Sequence, residues 1–381
     1  MDFKLYCNLP IKDSKSILPF MTLSPRFKRA LYQILPFGVI SFVLSISYSL
    51  VEKGILGDHP IYPSTGNPYT YNWLVPSVVA GIFGLFVGVM EFFFISKWFK
   101  KGSFALKLLF KSTIYILLII LLTIIVSSVS TAYEIDAEPF SSEVWQYNYN
   151  FVTSFAFWTV VLYVTLGIVV SLFYTEVSTI IGQNVLLNLF TGKYHTPFEE
   201  KRIFMFLDMK SSTTIAEQLG HVAYFKLLQS YYADISDAII DHGGSIYQYV
   251  GDEVVVMWKL KTIRDARPLS CFWAMEKSLA DKKEKYIKRY GVAPTFKAGI
   301  HVGVVTTGEI GKIKREIVFT GDVLNTAARI QGLCNTYEVN LLFSEQFAQI
   351  IETHEDLTIK ALGETELRGK GEKVRLFTID N

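Results

Sequence analysis

The chain has 381 residues, half of them hydrophobic, a net charge of +2 and a mean hydropathy of +0.31. That length is too great for one small soluble domain, and the apolarity is concentrated before about residue 180. The basic clusters lie beside apolar runs, where anionic lipid and membrane topology account for them, so nucleic acid is not an expected partner.

Residues 1–30, rich in Lys and Arg, read as a cytoplasmic N-terminal segment, and residues 31–173 as an all-α membrane domain. Four apolar runs, about 31–51, 73–95, 112–131 and 151–173, are each long enough to cross a hydrocarbon core of roughly 30 Å. The third, TIYILLIILLTIIVSSVS, carries no charge. Glu91 lies near one end of the second run, where it either reaches the interface or faces other helices, and is the one ionisable group expected inside the membrane; its simplest reading is a snorkelling side chain without function. The loop over 96–111 holds Lys97, Lys100, Lys101, Lys107 and Lys111 and no acid, whereas Glu134, Asp136, Glu138 and Glu143 follow the third run. The positive-inside rule then places the N-terminus, the 96–111 loop and everything after 173 in the cytoplasm, as expected of a multi-pass inner- or plasma-membrane protein. The first run begins late and is followed by three more, so a cleaved signal peptide is not expected. Cys7, Cys271 and Cys334 are scattered and read as reduced thiols.

Residues 174–199 continue the helical pattern out of the membrane. Val177, Ile180, Ile181, Val185, Leu186 and Leu189 keep helical spacing before Gly192 and Pro197 break it, which predicts a signalling helix and a linker. From 200 to 381, strand and helix signals alternate. RIFMFLDM reads as a buried strand, SSTT as a helix cap, and Ile215 to Ile239 as one long amphipathic helix. SIYQYV and EVVVMW flank Gly251-Asp252 as a hairpin. A helix over about 264–290, the strand FKAGIHVGVV and the helix VLNTAARIQGL follow.

Asp208 ends the first of these strands and Asp252 sits in the hairpin turn. Carboxylates on rigid strand ends suit a pair of divalent cations in phosphoryl transfer. An Asp in a Gly-Asp turn is by itself usually only a turn residue; an acid ending an apolar strand is costlier unless paired or liganded. Asn325 and Arg329, four apart on a helix, project from one face, where Arg can grip phosphate oxygens and Asn a ribose oxygen, or both can simply be solvated. LRGKG adds Arg368 and Lys370 around glycines, a basic turn able to cradle phosphates.

FMFLDMKSST, YVGDE, GIHVGVVTTGEIG, GDVLNTAARI and LRGKG occur in the order found in class III nucleotide cyclases, the adenylyl and guanylyl cyclases, and the region from about 200 to 381 resembles their catalytic domain. The resemblance implies an α+β catalytic domain of ferredoxin-like, palm-type architecture after the four-span transmembrane domain. It implies a homodimer in which Asp208 and Asp252 of one subunit hold two Mg2+ or Mn2+ ions, facing Asn325, Arg329 and Arg368 of the other, with Arg368 where the family commonly has lysine. It also implies cyclisation of a nucleoside triphosphate with release of pyrophosphate.

At the positions that resemble the family's base-reading pair, this chain has Gln248 and Val318, matching neither the adenylyl nor the guanylyl pattern; Thr320 substitutes if the register slips by two. ATP is the expected substrate and cyclic AMP the product. A guanylate cyclase and a silent nucleotide-binding signalling domain remain as alternatives. GDE also resembles the turn of diguanylate cyclases, but Val250 precedes it and GDVLNTAARI has no place there. The membrane domain reads either as an anchor or as a sensor of an unknown lipophilic or small ligand.

Overall fold

The computed structural model describes residues 24–61, 71–99, 102–182, 185–260, 266–351, 357–366 and 373–379. The chain divides into two compact units, one over Phe27–Leu187 and one built on Asn188–Asn381.

In the first unit the helices Pro25–Leu56, Leu74–Trp98, Phe104–Glu134 and Phe155–Ile181 are long and apolar enough to cross a membrane. The first and third overrun their expected spans at both ends and the second and fourth at the C-terminal end, where the flanking turns stay helical, while the fourth begins only at Phe155. An amphipathic helix, Ser142–Thr153, precedes the last span, and Asn148 ties it to Ser127 and Ser128 of the third. The first two spans approach closely through small residues: a Cβ at Gly84 would lie 2.4 Å from the Phe37 carbonyl oxygen.

Two expectations about charge are corrected. Lys111 does not belong to a loop; it lies inside the Phe104–Glu134 helix and is buried. Glu91 does not snorkel. It is 3% exposed and accepts from Lys111 Nζ at 2.6 Å and from the Tyr115 hydroxyl at 3.0 Å. Lys111 also donates to Glu176 at 2.7 Å, so the bundle interior holds a three-residue ion cluster rather than one isolated carboxylate. Removing one member of such a buried pair typically costs about 3–5 kcal/mol, because the other charge is left stranded. The helix expected over 174–191 is also interrupted. Gly182 takes φ 108° and ends the last span at Ile181, and a separate helix covers Val185–Phe190.

The second unit is α+β, as the sequence implied. Its strands are β1 Phe198–Met209, β2 Ser245–Val250, β3 Glu253–Lys259, β4 Phe296–Ile310, β5 Glu316–Thr320, β6 Leu341–Ser344, β7 Ile359–Glu366 and β8 Lys373–Ile379. They form one sheet in the order β2-β3-β1-β4-β6-β8-β7, with β5 paired to the far part of β4. All pairings are antiparallel except β4 with β6.

β1 is buried on both faces, which explains its unbroken apolar run. Ile203, Met205 and Leu207 pack into the main core with the His221–Asp241, Arg267–Ala280 and Glu345–Ile351 helices. Phe204 and Phe206 face the opposite side, under Val323 and Ala327 of the Asp322–Gly332 helix. Cys271 and Cys334 are buried free thiols, and burial pushes the Cys334 thiol up to about 12. Cys7 lies outside the described residues.

The single amphipathic helix expected after β1 is two, Ser212–Leu219 and His221–Asp241, because Gly220 takes φ 72° between them. The helix expected over 264–290 is likewise two, Arg267–Ala280 and Lys283–Tyr290. Hydrophobic spacing alone does not register such breaks.

Gly299 on β4 lets the Asp322–Gly332 helix lie directly on the sheet. A Cβ there would meet the Gln331 backbone nitrogen at 2.3 Å and the Ala327 carbonyl at 2.6 Å. Gly299→Ala is expected to lower the thermal unfolding midpoint of the purified chain, since such overpacking costs about 1–3 kcal/mol. A midpoint equal to wild type would contradict the close approach.

Candidate active site

Asp208 is the penultimate residue of β1 and pairs with Glu253 of β3 and Lys297 of β4. Asp252 is one residue outside that ladder, in the turn between β2 and β3, where Gly251 takes φ 63°. The register therefore sets the two aspartates side by side at one end of the central strands. The Tyr232 hydroxyl fastens the turn by donating to the Gly251 carbonyl at 2.8 Å.

Electrostatics at this end of the sheet are unfavourable by design of the register. Burial raises the proton affinity of Asp208, and the neighbouring Asp252 carboxylate raises it further, while Lys297 opposes both. Glu253 is raised by burial and then by the same two aspartates. Lys297 Nζ lies 3.3 Å from Asp208 Oδ2, and Gln331 donates its side-chain amide to that oxygen at 3.2 Å. Among the described residues no three His, Cys, Asp or Glu side chains form a ligating cluster.

Immediately after β1, Ser211 is held at φ 56° without glycine's freedom, and its hydroxyl does not cap the Ser212–Leu219 helix that follows. The SSTT segment thus enters the helix through a left-handed turn rather than a side-chain cap. Such a conformation costs roughly 1–3 kcal/mol and tends to persist where function demands it.

The Asp322–Gly332 helix buries Val323, Thr326, Ala327, Ile330 and Gln331 against the sheet. Asn325 and Arg329 fall on the opposite face by helical spacing, with Asn325 exposed and Arg329 half-buried. Gln331 therefore reaches Asp208 while Asn325 and Arg329 project away from it. Within one domain the fold does not bring the aspartate pair and the Asn-Arg pair together.

Gln248 follows a bulge in β2, where the pairing steps from Ile246 directly to Gln248 and leaves Tyr247 as the extra residue. The Tyr247 ring packs on Phe319 with centroids 5.2 Å apart. Phe319 is flanked by Val318 and Thr320 on β5 and is covered by the Arg202 guanidinium at 4.6 Å. The segments holding Gln248, Val318 and Thr320 are thus neighbours, although they are 70 positions apart in sequence (318 − 248 = 70). Arg368 and Lys370 lie outside the described residues.

Lys297, Gln331 and Tyr232 were not singled out from the sequence. Their roles depend on register and helix packing; the one available signal was a lysine within the otherwise apolar FKAGIH strand, where the structure leaves it half-buried.

Residues 194–381 match the family model for the adenylate and guanylate cyclase catalytic domain. "Adenylate cyclase 2" of Rhizobium meliloti (strain 1021) is 32% identical over 209 residues, covering 55% of this chain and 58% of that protein. "Adenylate cyclase" of Anabaena cylindrica is 25% identical over 181 residues, covering 46% of this chain and 36% of that protein. The chain thus spans less than two thirds of the length of either relative. The crystal structure of the adenylyl cyclase CyaB from P. aeruginosa aligns with 49% of this chain and 96% of that one, at 22% identity and a TM-score of 0.44. The sequence matches, falling on the unit that holds Asp208, Asp252, Asn325 and Arg329, identify residues 194–381 as a catalytic domain of the class III nucleotide cyclase family.

Proposed function

We propose that the chain is a membrane-bound adenylate cyclase that converts ATP to 3′,5′-cyclic AMP and pyrophosphate at sites shared between two copies. The observation that supports it most is the opposed placement of its two halves. The aspartates gather at one end of β1, while Asn325 and Arg329 leave the far side of the Asp322–Gly332 helix. A two-fold dimer supplies to each aspartate pair the Asn-Arg face of the partner, and so makes two sites from one sequence. The adenylate cyclases among the relatives support ATP as substrate.

The Asp208–Asp252 pair fits two Mg2+ or Mn2+ ions. It offers hard oxygen donors only, and its mutual repulsion is what a divalent cation would relieve. When bound, the ions supply charge neutralisation of the triphosphate and acidification of the ribose 3′-hydroxyl. Lys297 and Gln331 fix the orientation of the Asp208 carboxylate, and Tyr232 fixes the turn that presents Asp252. Asn325 of the second copy orients the ribose. The 3′-hydroxyl gives up its proton to solvent as its oxygen attacks the α-phosphorus, the bond to the α–β bridging oxygen breaks, and pyrophosphate leaves with the displaced electron pair. Arg329 donates to the phosphate oxygens as charge builds, an interaction typically worth about 10²-fold or more in rate. Arg368 and Lys370 complete the phosphate contacts in this reading.

Gln248 offers both a donor and an acceptor to the base edge, and Val318 only its backbone groups. The Lys and Arg bias of the sequence supports a cytoplasmic catalytic unit, on the side where nucleoside triphosphates are found. The interruption at Gly182 favours the anchoring role over a rigid rod passing rotation from the membrane.

Purified full-length protein with Mn2+ is expected to make cyclic AMP from ATP, and Asp252→Ala to make none. Cyclic GMP alone, formed from GTP, would reverse the base assignment; no product from either nucleotide would favour a silent nucleotide-binding domain.

Stability provides a second test. A carboxyl raised in the folded state contributes stability below its ordinary range, and that contribution is lost as pH rises through the raised value. Ionised Asp208 and Glu253, crowded by burial and by Asp252, therefore weaken the fold at neutral pH without divalent cations. Asp252→Asn is expected to raise the unfolding temperature at pH 7 in chelator and to abolish the rise that Mn2+ gives the wild type. An equal Mn2+ response in both proteins would remove the pair as the cation site.

A further inference from the structure

The Phe27–Leu187 unit contains a cavity of about 290 Å³. Four helix ends meet around it: Arg29 near the start of the first span, Phe99 just past the end of the second, Lys107 near the start of the third and Thr179 near the end of the last. The Glu91–Lys111–Glu176 cluster also lines it, and the buried Glu91 carboxylate is fixed on its second oxygen by Tyr115. Ionisable groups inside an apolar bundle are costly and commonly mark a site of binding or transfer. A π-helical turn starts at Glu91, an irregularity that recurs at functional positions.

The ionisable lining comprises three cations and two carboxylates, which leaves the cavity with one positive charge. Lys111 is engaged by both carboxylates, and the other cations of the lining are Lys107 and Arg29, each partly exposed. Toward this end of the bundle the helices also present exposed Phe94, Phe110, Phe173 and Ile180. A headgroup with a single negative charge matches the cavity, and acyl chains match the apolar surface beside it.

We propose that this cavity binds the phosphodiester headgroup of an anionic membrane phospholipid, with Lys107 and Arg29 on the phosphate and the Glu91–Lys111–Glu176 cluster as a rigid floor. Thr175, Glu176 and Thr179 of the last span line the same cavity, so the site draws on that span as well as the first three. The inference rests on the four helices lying in a bilayer. Alkaline extraction of membranes tests that separately, since release of the full chain would remove the membrane reading itself.

The test is native mass spectrometry of the full-length protein with phosphatidylglycerol or phosphatidylcholine of identical acyl chains. Wild type is expected to hold phosphatidylglycerol at least about tenfold more tightly, as two basic side chains beside an anionic headgroup imply. Lys107→Gln and Arg29→Gln, each at a partly exposed position, are both expected to reduce that preference. Equal retention of the two lipids by wild type, or an unchanged preference in both variants, would overturn the proposal. Displacement of bound phosphatidylglycerol by millimolar glycerol phosphate would also overturn it, in favour of a site for a free phosphate ester.

Discussion

Two carboxylates held side by side at the end of a hydrophobic strand are the constraint on which the cyclase unit depends. Burial disfavours the ionised form of Asp208, and the Asp252 carboxylate beside it adds to the penalty. The fold withstands this because β1 is locked on both sides, by seven residue pairs to β3 and twelve to β4. Lys297 and Gln331 offset part of the charge, and Tyr232 secures the turn from below. A site that is costly when empty is also one whose stability responds when a cation arrives.

The same sheet decides what one copy can and cannot do. Gly299 draws the Asp322–Gly332 helix down until its inner face touches Asp208 through Gln331. With Val323, Thr326, Ala327, Ile330 and Gln331 turned to the sheet, Asn325 and Arg329 face outward. In the proposed mechanism that outward face is what a second copy would use.

Much of this was legible in the sequence. The apolar run of RIFMFLDM, the Gly251-Asp252 turn and the four-residue step from Asn325 to Arg329 each expressed a local rule that the structure obeys. What was not legible depended on partners distant in sequence. Lys297 reaches Asp208 only through the β1–β4 register. Lys111 looked like part of a basic loop because its partners, Glu91 and Glu176, lie 20 and 65 positions away. The single helices expected over 215–239 and 174–191 ignored Gly220 and Gly182, since hydrophobic spacing continues across a break in the backbone. In the membrane unit, an isolated Glu91 left its role open, whereas the structure joins it to Lys111 and Glu176 beside a cavity.

The central claim, that each site needs residues from two copies, is tested most directly by mixing two inactive variants. Asp252→Ala removes the metal half and Arg329→Ala the phosphate half. Co-expressed in equal amounts, they are expected to recover roughly a quarter of wild-type activity, because half of randomly paired two-fold dimers would hold one intact site of two. Each variant alone is expected to stay inactive. Mixed protein no more active than the separate variants would contradict the shared site and place all four residues at work within a single chain.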